Sequence, residues 1–359
     1  MKIVFVVPYP PTFSPSQRFR FEQYFSLLKA RTYFFETHSF WDTMTWAILY
    51  KKGNFITKSI GFIKGFSKRF LLLFNLSHVD FIFIHREAAP IGPPIFEWII
   101  ARVLKKKIIY DFDDAIWLPN TSGENSLVAH LKWHQKVRAI CRWSYAVSCG
   151  NKYLCEYARQ FNMRVFLNPT TIDTEHLHNP KLYYSKIKST KIIMGWTGTH
   201  STLKYIDSLL PVFKTLEEKF PNQIEFVVVA DKEPLFTLSC LRFVRWNKQT
   251  EIQDLLQFDI GLMPLTDDVW SQGKCGFKAL QYLALQIPAV VSPVGVNNPI
   301  VENGVSGFVC AEEQAWIEAL TLLIENEALR KKMGEAGRKK VIENYSVLSN
   351  SENFLSLFL

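Results

Sequence analysis

Residues 259–295 constrain the fold more than any other stretch of the chain. Asp259-Ile-Gly-Leu-Met-Pro-Leu is one short apolar run and Ile287-Pro-Ala-Val-Val-Ser-Pro-Val-Gly295 is a second. Between them lie a polar loop bearing Gly273 and Gly276 and a helical pattern from about Phe277 to Gln286. Two such runs joined through a helix predict a βαβ unit with parallel, buried strands. The loop after the first strand then falls at the carboxyl edge of the sheet, where open α/β sheets bind ligands. Gly273 and Gly276 let the backbone approach a ligand closely. Lys274 and Lys278 flank Phe277 at the helix start, where free N–H groups already favour an anion. A solvated loop with ordinary capping glycines is the plainer alternative.

A second turn of the same kind follows Lys191-Ile-Ile-Met-Gly195-Trp196-Thr197. Gly198, Thr199 and Thr202 bring a glycine and hydroxyls to a predicted strand-to-helix turn, the geometry that cradles a pyrophosphate. The full Gly-x-Gly-x-x-Gly fingerprint and the acid about 20 residues later are missing, which argues against a nicotinamide dinucleotide. Nearer the start, Ile3–Val7 reads as a first strand, followed by a loop rich in Pro, Ser and Thr that leads to Arg18 and Arg20. Those two arginines could clamp a phosphate or carboxylate, or simply be exposed in a first helical turn. Phe81-Ile-Phe-Ile ends in His85-Arg86-Glu87, and Lys107-Ile-Ile-Tyr110 ends in Asp111, Asp113 and Asp114. Three acids at a buried strand end are costly unless they face a cleft or pair with cations.

The pattern from 259 to 295 resembles the donor-binding segment of the family 4 glycosyltransferases (glycosyl transferases group 1). Lys278-Ala-Leu-Gln281-Tyr-Leu-Ala with Ile-Pro-Ala-Val-Val is similar to the family's Lys-x-x-Glu-Tyr-x-Ala and Gly-x-Pro-Val-Val. Two glutamates are usual there; Gln281 stands at the second position and Gly273 at the first. The resemblance implies an α/β protein of the GT-B fold, with two Rossmann-like domains facing across a cleft and a C-terminal helix crossing back to the first. The domain expectations are 1–172 for an acceptor-side N-terminal domain, 173–340 for a nucleotide-sugar-binding domain with a linker at 174–189, and 341–359 for the returning helix.

What the resemblance further implies is a glycosyltransferase, acting with retention on a nucleotide-sugar donor and a glycan or lipid-linked acceptor, in cell-surface polysaccharide or glycoconjugate synthesis. Lys278 would neutralise the leaving diphosphate, helped by Lys274 and the 198–202 turn. Gly276, Phe277 and Gln281 would complete the donor site, Gln281 through the ribose, and Trp246 would wall the nucleobase. The family's strand-end Thr-x-His-Asp places Asp113 at the histidine position and Asp114 after it, so these are the catalytic candidates of the first domain. Arg18, Arg20, Arg86 and Asp111 are then acceptor-side residues. GT-B donors are held by cations and helix termini, so neither a cofactor nor a bound metal is expected. A UDP-sugar epimerase of the same layout and a non-catalytic nucleotide-sugar-binding protein are the alternatives.

Charge is shared unevenly. Residues 1–175 hold 23 Lys and Arg against 13 Asp and Glu, and the remainder hold 19 against 20, so the first half carries the whole excess of +9. Residues 43–79 contain no acid, and Lys51, Lys52, Lys58, Lys64, Lys68 and Arg69 alternate with phenylalanines and isoleucines. Periodicity from Phe55 predicts an amphipathic helix with apolar residues on one side and lysines on the other, suited to contact an anionic membrane through residues 51–70. The alternative is a helix whose apolar face packs on the core. With no accompanying nucleic-acid module, nucleic acid is not an expected partner. Six cysteines without a Cys-x-x-Cys pair suggest a reducing, cytoplasmic setting. No targeting or membrane-spanning segment is expected, because the start of the chain reads as a strand.

Overall fold

The computed structural model describes residues 1–51, 53–119, 133–183 and 189–359. Lys52 and part of the expected linker, 184–188, lie outside the described residues. The chain divides into two compact units. One comprises Met1–Thr170 and Ser351–Leu359, and the other Thr171–Asn350.

The first unit is built on a six-stranded sheet in the order β2-β1-β3-β4-β5-β6. Its strands are β1 (Lys2–Val7), β2 (Phe34–Ser39), β3 (Phe81–His85), β4 (Lys107–Phe112), β5 (Ala146–Cys149) and β6 (Val165–Leu167). All pairings are parallel, with Ile3 opposite Phe81 and Phe83 opposite Ile109. Parallel strands lie under helices on both faces, which is why β1 beyond Lys2 and β3 read as apolar runs and are buried. The last residues of the chain complete this core. Phe354 stacks on Tyr24 at 4.2 Å and meets Phe83 at a tilt, while Phe358 lies edge-on to Phe81.

The second unit repeats the plan in the order β12-β11-β10-β7-β8-β9. Its strands are β7 (Ile192–Gly198), β8 (Ile224–Ala230), β9 (Leu241–Arg245), β10 (Ile260–Met263), β11 (Ala289–Val291) and β12 (Gly307–Val309), again all parallel. Residues 259–291 form the β10–helix–β11 crossover, with the helix at Phe277–Ala284. The segment expected to return from 341 divides instead at 350. The Glu327–Asn344 helix runs unbroken through 341 and stays with the second unit, so only Ser351–Leu359 joins the first. Among the described residues, no helix is long and apolar enough to cross a membrane.

The Phe55–Leu73 helix also departs from expectation. It packs through Gly61, Gly65 and Arg69, with Phe62 and Phe66 set against Phe40 and Trp41. Arg69 is the anchor: its guanidinium donates to the carbonyls of Val7, His38 and Ala88, which ties the helix to β1, β2 and the loop after β3. Burial lowers its pKa to about 9 despite nearby Glu97. The isoleucines face outward. Ile56, Ile63 and Phe74 are 79%, 64% and 70% exposed, on the side opposite Gly65 and alongside exposed Lys64 and Lys68.

Candidate active site

In the second unit the chain leaves β7 toward β8 on one side and returns through β10 on the other. The gap above β7 and β10 is therefore the topological switch point, where the loops diverge and leave room for a ligand. Both loops expected to bind a donor lie there. After β7, Thr199 and Thr202 bond reciprocally, Thr199 N–H donating to Thr202 Oγ1 and Thr202 N–H to the Thr199 carbonyl. Gly198 is required at the strand end, because a Cβ would stand 2.2 Å from the Trp196 ring and 2.8 Å from Thr202 Oγ1. After β10, Asp268 accepts from the N–H of Ser271, and Ser271 Oγ lies 3.2 Å from Tyr205 Oη, which ties the two loops together.

Gly276 precedes the Phe277–Ala284 helix in the left-handed region, with φ of 68°, where a side chain would be strained and would meet Ile300 Cδ1 at 2.1 Å. The helix thus opens without a capping side chain over its first N–H groups. Lys278, half-buried in the first turn, places Nζ 5.4 Å from the centroid of the Trp196 ring at β7. Lys274 lies 5.2 Å over the Trp270 ring. Two ammonium groups, a helix start and a hydroxyl-rich turn so converge on one sheet edge, a combination suited to a diphosphate.

The first unit has its own switch point between β1 and β3. Its polar side chains sort into two sets. Inside, Arg20 and Asp111 have no side-chain exposure and form an ion pair. Asp111 also meets His85 Nδ1 at 2.8 Å and accepts from Ser148 Oγ at 2.6 Å, while Arg20 reaches the Asn168 carbonyl. Burial alone would raise the Asp111 pKa, but the Arg20 charge and the His85 bond override it and hold the carboxyl well below the usual range. Outside, at the strand ends, Arg86 meets Asp114 at 2.8 Å and Asp113 at 4.0 Å. Arg86 adopts φ of 63°, pinned by its N–H on the Asp111 carbonyl and by Tyr110 Oη donating to its own carbonyl. Burial opposes its charge, and Asp113 and Asp114 more than compensate, so its pKa is raised.

Residues 184–340 match the family model described as glycosyl transferases group 1. The capsular polysaccharide biosynthesis glycosyltransferase CapM of Staphylococcus aureus is 26% identical over 180 residues, a match covering 47% of each chain. The chain thus spans about half the length of the curated relative it matches. Among solved structures, a glycosyltransferase from Rickettsia africae ESF-5 superposes with a TM-score of 0.71 at 13% identity, covering 99% of this chain and 97% of that one. Anabaena Alr3699/HepE in complex with UDP-glucose gives 0.63 at 14% identity, covering 99% of both. With two parallel α/β units already evident, these likenesses give the chain the GT-B fold.

Two sets of expected site residues need correction. Gln281 does not present its amide for a ribose: it is 1% exposed and its Nε2 lies 3.2 Å from buried His178 Nε2. It lies one turn along the helix from Lys278, fully buried where Lys278 is half-buried. Arg20 and Asp111 are not acceptor-side groups either, because each is enclosed and turned to the other. Arg86, Asp113 and Asp114 stand at the strand ends, and Arg18 is half-buried beside the Phe19 ring. Trp246 is half-buried directly after β9, its N–H on the Ala230 carbonyl. Among the described residues no three His, Cys, Asp or Glu side chains converge as a metal site, since Asp111 turns inward and Asp113 and Asp114 turn to Arg86. Sequence reasoning missed the clamp of Gln17 on the Tyr9 backbone, with bonds of 2.9 and 3.1 Å, and the contact of His200 with Asp231. In both cases one polar residue follows a buried strand, the signal that could have found them.

Proposed function

We propose that the chain transfers a sugar, with retention, from a nucleotide-sugar donor to a glycan or lipid-linked acceptor, in the synthesis of cell-surface polysaccharide or glycoconjugate. The observation that carries this reading is the convergence of Lys274, Lys278 and the uncapped start of the Phe277–Ala284 helix on the Gly198–Thr202 turn. Charge that develops on a leaving diphosphate is stabilised by groups already in place, the most effective form of electrostatic catalysis. Two lysines and a helix start supply that positive charge, so donor departure requires no bound cation. The CapM likeness supports a polysaccharide product, and the HepE complex supports a UDP-sugar donor.

The acceptor hydroxyl is assigned to the first unit, where Asp113 would orient or deprotonate it and Asp114 and Arg86 would fix the geometry. The acid-free Phe55–Leu73 helix, with Ile56, Ile60, Ile63 and Phe70 outward beside Lys64 and Lys68, supports docking on an anionic membrane from the cytoplasmic side. That placement suits a lipid-linked acceptor. Thermal unfolding in the presence of UDP-, GDP-, ADP- and dTDP-sugars tests the donor assignment, because a ligand at 100 times its dissociation constant adds about 2.7 kcal/mol to the folded state. One of the four should raise the midpoint, and activity with it should persist in EDTA. Release of epimerised sugar without any acceptor would replace transfer by epimerisation.

A further inference from the structure

Tyr9 follows β1 directly, and Trp46 and Tyr50 follow β2, the next strand outward in the first sheet. The Tyr9 and Trp46 ring centroids lie 4.7 Å apart at a tilt of 52°, and the Tyr50 ring meets Trp46 edge-on at 5.6 Å. Tyr9 and Trp46 are half-buried, packed against the small cluster of Phe40, Trp41 and Ala89, and Tyr50 is 63% exposed. Ala89 is three residues beyond Arg86, so the rings stand on the β1–β2 side of the Arg86, Asp113 and Asp114 group, at the same carboxyl edge. The charges of that group reach them: burial raises the Tyr9 hydroxyl pKa, Arg86 opposes the shift, and Tyr50, Glu87 and Asp113 add to it.

The rings are held in place by their own surroundings. Buried Gln17 exchanges two hydrogen bonds with the Tyr9 backbone. The Thr43–Ile48 helix that carries Trp46 is capped by Asp42, which accepts the Thr45 N–H at 2.7 Å. Its Thr45 lies so close to Gly61 of the Phe55–Leu73 helix that a Cβ there would stand 2.2 Å from Thr45 Oγ1. Little freedom is left to lose on binding, which favours affinity. The face of an aromatic ring is negative and the C–H groups on one face of a pyranose are slightly positive, so the two stack, while the hydroxyls of the rim need donors and acceptors. Aromatic rings and an Arg–Asp group share this edge. One guanidinium against two carboxylates leaves it formally negative, which disfavours a phosphate and suits a neutral sugar.

We infer that Tyr9, Trp46 and Tyr50 form a subsite for a neutral sugar residue of the acceptor, next to the sugar whose hydroxyl meets Asp113. This rests on the transfer reading above and narrows its acceptor to a molecule that is already glycosylated. The chain then extends a glycan rather than placing the first sugar on a lipid phosphate, and an earlier glycosyl transfer must supply its acceptor.

An array of mono-, di- and trisaccharides of glucose, galactose, mannose, N-acetylglucosamine and rhamnose, overlaid with the full chain, supplies the probes, and calorimetry gives the Kd of the best one. Native protein should hold a di- or trisaccharide more tightly than the corresponding monosaccharide. Tyr50→Ala, at an exposed position, should weaken that glycan about three- to tenfold at an unaltered unfolding midpoint, and Trp46→Ala about tenfold, the worth of one aromatic contact. Trp46→Phe keeps a ring and should regain most of the loss. Affinity for the nucleotide-sugar that stabilises native protein should be the same in every variant, and a polyisoprenyl phosphate without sugar should accept nothing in the transfer assay. Equal glycan affinity in native protein, Tyr50→Ala and Trp46→Ala would overturn the inference and leave the transfer reading intact. So would transfer to the bare polyisoprenyl phosphate, or a native protein that binds a nucleotide-sugar but none of the glycans. Binding of neither would overturn both.

Discussion

Arg86 and Asp114 close an ion pair of 2.8 Å across the carboxyl ends of β3 and β4, and Asp113 stands 4.0 Å from the same guanidinium. One cation thus faces two carboxylates at the edge of the first sheet, with its backbone held in the left-handed region. Non-glycine residues keep such a conformation only where surrounding bonds impose it, and here the Asp111 carbonyl and Tyr110 Oη do so. The arrangement sets Asp113 apart from its neighbour. Asp114 has the closer bond to Arg86, and Asp113 is the residue to which the proposed transfer assigns the hydroxyl proton.

Asp113→Asn keeps the shape of the side chain and removes its charge. Transfer should fall by a factor of about 100 to 10,000, the range for loss of a general base. Nucleotide affinity should be unchanged, because the donor residues belong to the second unit. Calorimetry with the nucleotide and a radiolabelled transfer assay on the same preparation decide the matter. Loss of nucleotide affinity would remove the acceptor-side role of this residue.

Lys278→Ala tests the other side of the reaction. Loss of one charge-assisted bond made chiefly to the leaving group costs about 2–3 kcal/mol of transition-state stabilisation, near a hundredfold in rate. Lys274→Ala should affect the donor KM more than kcat, since Lys274 sits over Trp270 rather than in the first turn of the helix. Unchanged turnover in a folded Lys278→Ala protein would remove the donor assignment.

What the sequence made legible was what local pattern encodes. The β10–helix–β11 unit could be read because buried parallel strands are short apolar runs, and the turn after β7 because small residues follow Trp196 directly. The Arg20–Asp111 pair could not be read, since its members are 91 residues apart and meet only when β4 is laid beside the loop after β1. The Phe55–Leu73 helix shows a subtler limit. Periodicity distinguishes two faces but not which one packs, and here Gly61, Gly65 and Arg69 pack while three isoleucines do not. Likewise Gln281 stands one turn from Lys278 but is fully buried, a difference that a motif aligned by residue type does not reveal.

The enclosed pair makes a prediction about stability. Asp111→Ala leaves a buried arginine without its counter-charge and should destabilise the first unit by about 3–5 kcal/mol. The pH dependence has a definite sign. The folded pKa of Asp111 lies below the value of about 3.9 in unfolded chains, so its contribution is full above that value and is lost as pH falls below it. Urea midpoints measured from pH 7 down to pH 3 should hold steady at first and then fall as pH drops through the region of the unfolded value. A midpoint that rose in that interval would reverse the assigned sign.

The outward face of the Phe55–Leu73 helix separates a docking surface from an unremarkable exposed one. Ile56, Ile60 and Ile63 are 79%, 47% and 64% exposed, and Lys64 and Lys68 flank them. Replacing the three isoleucines by serine removes apolar area from a face that touches no core, so the unfolding free energy should change by no more than about 0.5 kcal/mol per site. Binding to vesicles is different. A fully buried isoleucine side chain is worth about 1.5–3 kcal/mol, and three that enter the headgroup region even in part should together account for at least about tenfold in partitioning. Sedimentation with vesicles of anionic and of purely zwitterionic lipid should show binding to the former, weakened by salt because the lysines act through a screened potential. The triple variant should stay in the supernatant in both cases while remaining folded. If instead it lost stability by several kcal/mol, the face would be part of a core. If native and variant protein both stayed in the supernatant with anionic vesicles, the helix would not be a membrane contact and the acceptor need not be lipid-linked.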